Sequence, residues 1–139
     1  MKETLKFAYF PGCSLESTAS EYDLSVRAVS DRLGIELVEI PDWNCCGASA
    51  GHSTNQRLAH ALTGRNLALA EQTKLDMMVA CPACYLRFRT TYRAVKEEPG
   101  KQNEIEKYTG MSYRATYRIR HILDVIYNEV GLDVIEKQV

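Results

Sequence analysis

Leu75-Asp76-Met77-Met78-Val79-Ala80-Cys81-Pro82-Ala83-Cys84 is apolar almost throughout as far as Ala80, then turns at once to cysteine and proline. An apolar run of this length suits a central parallel strand, covered on both faces. Pro82 suits the first turn of a helix, where its missing N–H has no partner to lose. Tyr85, Phe88, Tyr92 and Val95 continue at helical spacing to about Glu98, and Pro99-Gly100 ends the pattern. The stretch therefore reads strand, cysteine turn, helix.

Two upstream segments follow the same plan. Leu5 to Phe10 is strand-like, with Leu5, Phe7 and Tyr9 alternating against Lys6 and Ala8, and Pro11-Gly12 stops it just before Cys13. Ser17, Thr18 and Ser20 are candidate caps for a helix carrying Tyr22, Val26, Val29 and Leu33 at helical spacing, with Gly34 as its stop. Ile35 to Ile40 reads as a second strand, closed by Pro41-Asp42, and Trp43-Asn44 lead into Cys45-Cys46-Gly47. The small-residue stretch Ala48-Ser49-Ala50-Gly51, ending at His52, suits a loop that fits closely around something. Thr54 or Asn55 then caps a helix to about Lys74, with Leu58, Leu62 and Leu69 on one face and Gly64 inside it.

Beyond Gly100 the chain is polar to Arg114, with a short helix at about 103–108 and a turn at Thr109-Gly110. A last helix is expected from about Tyr117 to Val130, with Ile119, Ile122, Leu123, Ile126 and Val130 on one side, followed by a tail. The 139 residues suit one domain. The expected architecture is α/β: a parallel sheet with flanking helices, βαβαβα over 1–98, plus a helical C-terminal extension over 99–139. In such sheets ligands bind outside the carboxyl ends of the strands. Cys13, the Cys45-Cys46 pair and the Cys81/Cys84 turn all follow strands, so all land on one rim.

These are the chain's five cysteines. The start, Met1 to Lys6, carries no signal-peptide apolar region, and no run of about 18 apolar residues suggests a membrane span. A cytoplasmic protein is expected, where disulfides are rare and clustered cysteines bind metal or catalyse. Net charge is −1 with both signs mixed, which argues against a nucleic-acid surface. Cytosolic thiolates select zinc, copper(I) or iron–sulfur clusters. Structural zinc takes four ligands, which leaves one sulfur over. Four cysteines make an ordinary iron–sulfur cluster, and five with two adjacent suggest one of unusual shape. Two other readings stand beside it: zinc on four of the five in a structural or assembly domain, and a metal-free thiol–disulfide exchange protein using Cys81 and Cys84.

His52 could line a pocket or ligate metal, although a solvent-facing loop histidine is the plainer reading. His60 and His121 fall in helices and suit structural roles. Trp43 could shield a metal site from water or serve as core. Glu21 and Tyr22 could reach the rim, with capping or core roles the simpler account. Arg114, Arg118 and Arg120 could dock an acidic partner, but such groups are more often a solvated helix face.

Phe10-Pro11-Gly12-Cys13, Trp43-Asn44-Cys45-Cys46-Gly47 and Cys81-Pro82-Ala83-Cys84 resemble the cysteine-rich CCG domain. With Glu39-Ile40-Pro41-Asp42 ahead of the pair, they look most like the B subunit of heterodisulfide reductase. The resemblance covers nearly the whole chain. It implies a non-cubane [4Fe-4S] cluster held by Cys13, Cys45, Cys46, Cys81 and Cys84, and a role in reducing the mixed disulfide of coenzymes M and B or a related disulfide. It also implies partners: a C-like iron–sulfur subunit and an A-like flavin subunit. The family's B subunit carries two copies of the motif and this sequence one. The chain is thus expected to act as one half of a two-cluster site, completed by a second CCG domain or a second copy of itself.

Overall fold

The computed structural model describes residues 5–47 and 55–139. Among the described residues, four strands lie in one all-parallel sheet, in the order β2-β1-β3-β4. They are β1 (Leu5–Phe10), β2 (Ile35–Glu39), β3 (Met77–Val79) and β4 (Ile119–His121). Register pairs Phe7 with Leu37, Ala8 with Met77, and Met77 in turn with Ile119.

Alternation along the central strands sends side chains into two cores. Ala8, Phe10, Met77 and Val79 face one side, Phe7, Tyr9, Met78 and Ala80 the other, and all eight are buried. The first side is covered by α3 (Gln56–Gln72) and α4 (Pro82–Glu97). The second is covered by Leu15 of α1 (Gly12–Glu16), Val26 of α2 (Ser20–Arg32) and the helical segment after β4. Burial on both faces is why β1 and β3 read as near-continuous apolar runs.

Asn55 caps α3 as expected, its side chain accepting from the N–H groups of Arg57 and Leu58. The buried face of that helix matches the expected leucine stripe only in part: Leu69 is buried, Leu58 is exposed, and Ala59, Thr63, Asn66, Leu67 and Ala70 face inward. Gly64 has a packing reason. A Cβ there would meet Ile105 Cγ2 at 2.7 Å, so the glycine lets α5 (Lys101–Thr109) lie against α3. Cys13 lies in an additional short helix, α1, and the expected helix, α2, begins after Ala19 without a side-chain cap.

The end of the chain differs most from expectation. The helix placed over about Tyr117–Val130 starts at Ile122, and Ile119–His121 forms the fourth strand instead. The extension over 99–139 is therefore not wholly helical. The reason lies in the unpaired backbone along β3: Met77 N–H donates to the Arg118 carbonyl at 2.9 Å, and the ladder continues to His121. Helix α6 (Ile122–Asp124) then passes into a π-helical turn, Val125–Val130, and α7 (Leu132–Glu136) follows. Arg120 is not on a solvated helix face. It is buried in β4 and bonds Asp124 at 2.8 Å and also Glu129. Arg118 is exposed and pairs with Asp76 at 3.1 Å, and the Arg114 backbone N–H bonds Glu71.

Candidate metal centre

The strand order places a topological switch between β1 and β3, whose chains leave toward opposite neighbours. Cys13 follows β1 and Cys81 follows β3, so the two flank that crevice, while the Cys45-Cys46 loop arrives from β2.

Cys13 sits in the short helix α1, led by Gly12 at φ +83°. A Cβ on Gly12 would stand 3.3 Å from Cys84 Sγ and 3.5 Å from Phe10 Cε1. Glycine is needed there both for the left-handed backbone and for the close approach to Cys84. Cys81 is the N-cap of α4 with Pro82 in the first turn, and its carbonyl accepts from the Tyr85 N–H at 2.9 Å. Cys84 lies one turn on and is buried.

The pair is carried by a loop strapped to α3. Arg65 Nη1 donates to the Asp42 carbonyl at 2.7 Å and to Asn44 Oδ1 at 2.8 Å, and Nη2 donates to Asp42 Oδ2 at 2.5 Å. Asn66, fully buried, accepts from the Asn44 N–H at 2.8 Å and donates to the Asn44 carbonyl at 2.6 Å. The two bonds satisfy a backbone that no strand pairs. Motif and spacing do not single out Arg65 and Asn66. Their one signal in the sequence is that two polar residues run together through the middle of a helix with an apolar face. Trp43 is half-buried, its ring edge-on to Phe10 at 5.2 Å, and Phe10 is edge-on to Phe88 at 4.8 Å. Trp43 Nε1–H donates to Glu39 Oε2 at 3.4 Å.

Four of the five sulfurs meet in two pairs. Cys13 Sγ and Cys45 Sγ are 3.8 Å apart, and Cys46 Sγ donates to Cys84 Sγ at 3.4 Å. Cys46 also weighs on the ionisation of Cys45, and Cys81 on that of Cys84. Cys46 and Cys84 are buried, Cys81 is half-buried, and Cys13 and Cys45 face solvent. No disulfide joins any two of them. Among the described residues, no three Cys, His, Asp or Glu side chains close on a single point as ligands of one ion would. The sulfurs meet instead as adjoining pairs.

Crowding makes two of the thiols less acidic. The hydrogen bond from Cys46, then burial, then the neighbouring thiols push Cys84 well above the ordinary thiol value. At Cys45 the largest influence is the Gly47 N–H, which donates to Sγ at 3.4 Å and favours the thiolate; burial and the Cys13 and Cys46 thiols together outweigh it and raise the value. A cationic group beside Cys45 and Cys84 would reverse that balance and favour both as thiolates.

Two side chains whose simpler sequence reading is core or structural reach the rim. Tyr22 Oη–H donates to the Ala80 carbonyl at 3.1 Å, and His121 Nε2 lies 3.0 Å from the same oxygen. His121 Nδ1 accepts from the Leu123 N–H at 3.1 Å, which makes Nε2 the protonated nitrogen and the donor. His121 closes β4 rather than lying within a helix. His60 is buried in α3. His52 and the small-residue stretch after Gly47 lie outside the described residues.

The chain spans less than half the length of the curated relatives it matches. It is 35% identical over 128 residues to the membrane anchor subunit of 8-methylmenaquinol:fumarate reductase from Wolinella succinogenes, covering 90% of this chain and 44% of that one. It is 29% identical over 139 residues to an Archaeoglobus profundus protein described as like the B subunit of heterodisulfide reductase, covering 97% and 46%. It is 26% identical over 138 residues to the B subunit of ferredoxin:CoB-CoM heterodisulfide reductase from Methanosarcina mazei, covering 96% and 46%. A solved structure of a hypothetical protein from Helicobacter pylori shares the fold at TM-score 0.77 and 15% identity, over 91% of this chain and 26% of that one. The family model of the CCG cysteine-rich domain matches residues 7–89, a span that opens in β1, closes in α4 and takes in all five thiols. The chain with this cysteine-lined rim belongs to the CCG cysteine-rich domain family.

Proposed function

We propose that this chain is an electron-transferring, disulfide-reducing module of the heterodisulfide reductase B type. In this reading Cys13, Cys45, Cys46, Cys81 and Cys84 hold a non-cubane [4Fe-4S] cluster. The carrying observation is two thiol pairs, Cys13 with Cys45 and Cys46 with Cys84, and Cys81 one helical turn from Cys84, at the carboxyl ends of β1, β2 and β3. Soft donors, more than four of them and meeting in pairs, fit a group with several metal atoms better than one tetrahedral ion. Relatives named as subunits of heterodisulfide and fumarate reductases support an oxidoreductase component.

Once bound, such a cluster supplies one-electron chemistry at the rim. The protein's own parts then have distinct tasks. Buried Cys46 and Cys84 hold the inner side, and Cys13 and Cys45 form the side open to a disulfide substrate. The Gly47 N–H supports charge on Cys45 Sγ. Phe10, Phe88 and Trp43 keep one flank apolar and dry, which tunes a nearby metal group. We further propose a cytoplasmic location, a C-like iron–sulfur subunit and an A-like flavin subunit as electron donors, and a second CCG domain or second copy opposite the open side. Among the described residues, no helix is long and apolar enough to cross a membrane.

Anaerobic purification followed by iron and sulfide analysis tests the assignment. About four irons per site are expected, lost in Cys45→Ser and Cys46→Ser. Stoichiometric zinc without iron in anaerobic material would overturn it.

A further inference from the structure

Ala80 is fully buried, and its carbonyl, the last before Cys81, is engaged from two separate elements. The Tyr22 hydroxyl comes from α2 at 3.1 Å, and His121 Nε2–H comes from the end of β4 at 3.0 Å. Neither bond belongs to the sheet ladder, since β3 ends at Val79. The His121 ring is itself held in place: Nδ1 accepts the Leu123 N–H, and Tyr85 packs edge-on at 5.7 Å between ring centres. Tyr85 follows Cys84, so the histidine is braced by the same cysteine turn that it braces.

We infer that Tyr22 and His121 are positioning residues for Cys81: together they grip the Ala80 carbonyl and so fix the peptide plane from which the Cys81 thiol projects. A peptide is planar, so pinning its oxygen from two directions also fixes the orientation of the following N–H and Cα. Without the grip, the Tyr85 N–H would still hold the Cys81 carbonyl, but the peptide ahead of Cys81, between a three-residue strand and a helix cap, would lose both of these anchors. The functional weight of the grip rests on the proposal that Cys81 is a ligand. The geometry itself does not, and it is tested on metal-free protein.

The two nitrogens of His121 allow its roles to be separated. His121→Asn keeps an acceptor near Nδ1 for the Leu123 N–H but cannot reach Ala80. His121→Gln places an amide donor near Nε2 but gives up the cap. The full chain, stripped of metal and reduced, is treated with a limiting alkylating agent, and the rate at each cysteine is read by mass spectrometry against Cys13. In Tyr22→Phe and His121→Asn the Cys81:Cys13 ratio should rise at least about threefold, with Cys46 and Cys84 still slow. In His121→Gln it should return close to wild type. An unchanged ratio in Tyr22→Phe and His121→Asn overturns the inference. So does a rise at all five cysteines together, which would mark general loosening, or a ratio in His121→Gln as high as in His121→Asn. Failure of the cluster assignment shows separately, in the iron analysis of unaltered protein.

Discussion

At Gly12 one hydrogen atom decides how near two loops can come. The residue adopts φ +83°, and its missing Cβ would press on Cys84 Sγ at 3.3 Å. Gly12→Ala should destabilise the fold by about 1–3 kcal/mol, the usual cost of a non-glycine residue held in this region. Denaturant unfolding measures that loss, and iron content after anaerobic loading should fall with it. A variant with unchanged stability and full iron would show that the two loops do not need this contact. Asn66 is the second such position. Its amide is fully buried and bonds both backbone groups of Asn44, so Asn66→Ala orphans an N–H and a carbonyl. A loss of about 2–3 kcal/mol is expected in the same unfolding experiment. An effect below about 0.5 kcal/mol would mean that Arg65 and the Asn44 amide on the Leu62 carbonyl hold the loop without it.

The elements divide into those whose pattern is local and those that depend on a distant partner. β1, β2, β3 and α4 are legible because strand alternation, apolar runs and the Cys81-Pro82 start are written in consecutive residues. The gathering of the cysteines on one rim follows from element order alone. β4 is not legible, because Ile119 also falls in helical register with Ile122 and Ile126, and only the open backbone beside Met77 makes it a strand. The inward face of α3 is hidden for a related reason. Small residues, Ala59 and Ala70, lie on the buried face, and Asn66, polar yet buried, finds its partners on Asn44. The roles of Tyr22 and His121 are hidden because both act on a carbonyl about sixty and forty positions away in the chain. The link between β4 and its helix has an electrostatic signature. Arg120, through hydrogen bonds and charge, holds the Asp124 carboxyl down at about 2, against an ordinary 3.8. A depressed carboxyl contributes stability above its unfolded value and loses it as pH falls through the folded one. Thermal midpoints should therefore drop between about pH 4 and pH 2, and Asp124→Asn should flatten that part of the profile while lowering stability at neutral pH. Identical slopes in the two proteins would assign the acid response to other carboxylates.

At the scale of the molecule, the sheet brings three loops to one end and leaves two of the five thiols in solvent. The relatives are more than twice as long as the aligned part, since this chain covers 44–46% of them. A substrate disulfide attacked from two sides would need a second surface opposite the open thiols. The isolated chain is accordingly expected to load iron and yet reduce disulfides slowly. Steady-state turnover on material of measured mass checks this, and fast turnover by a demonstrated monomer would contradict it. The split between inner and outer thiols carries a further consequence, for life in air. Before any metal arrives, Cys13 and Cys45 stand 3.8 Å apart at the surface, within easy reach of becoming cystine, while Cys46 and Cys84 lie sheltered behind them. Oxygen would then bolt the door from outside: a protein prepared aerobically should carry a Cys13–Cys45 crosslink in peptide mapping and refuse iron until a reductant reopens it.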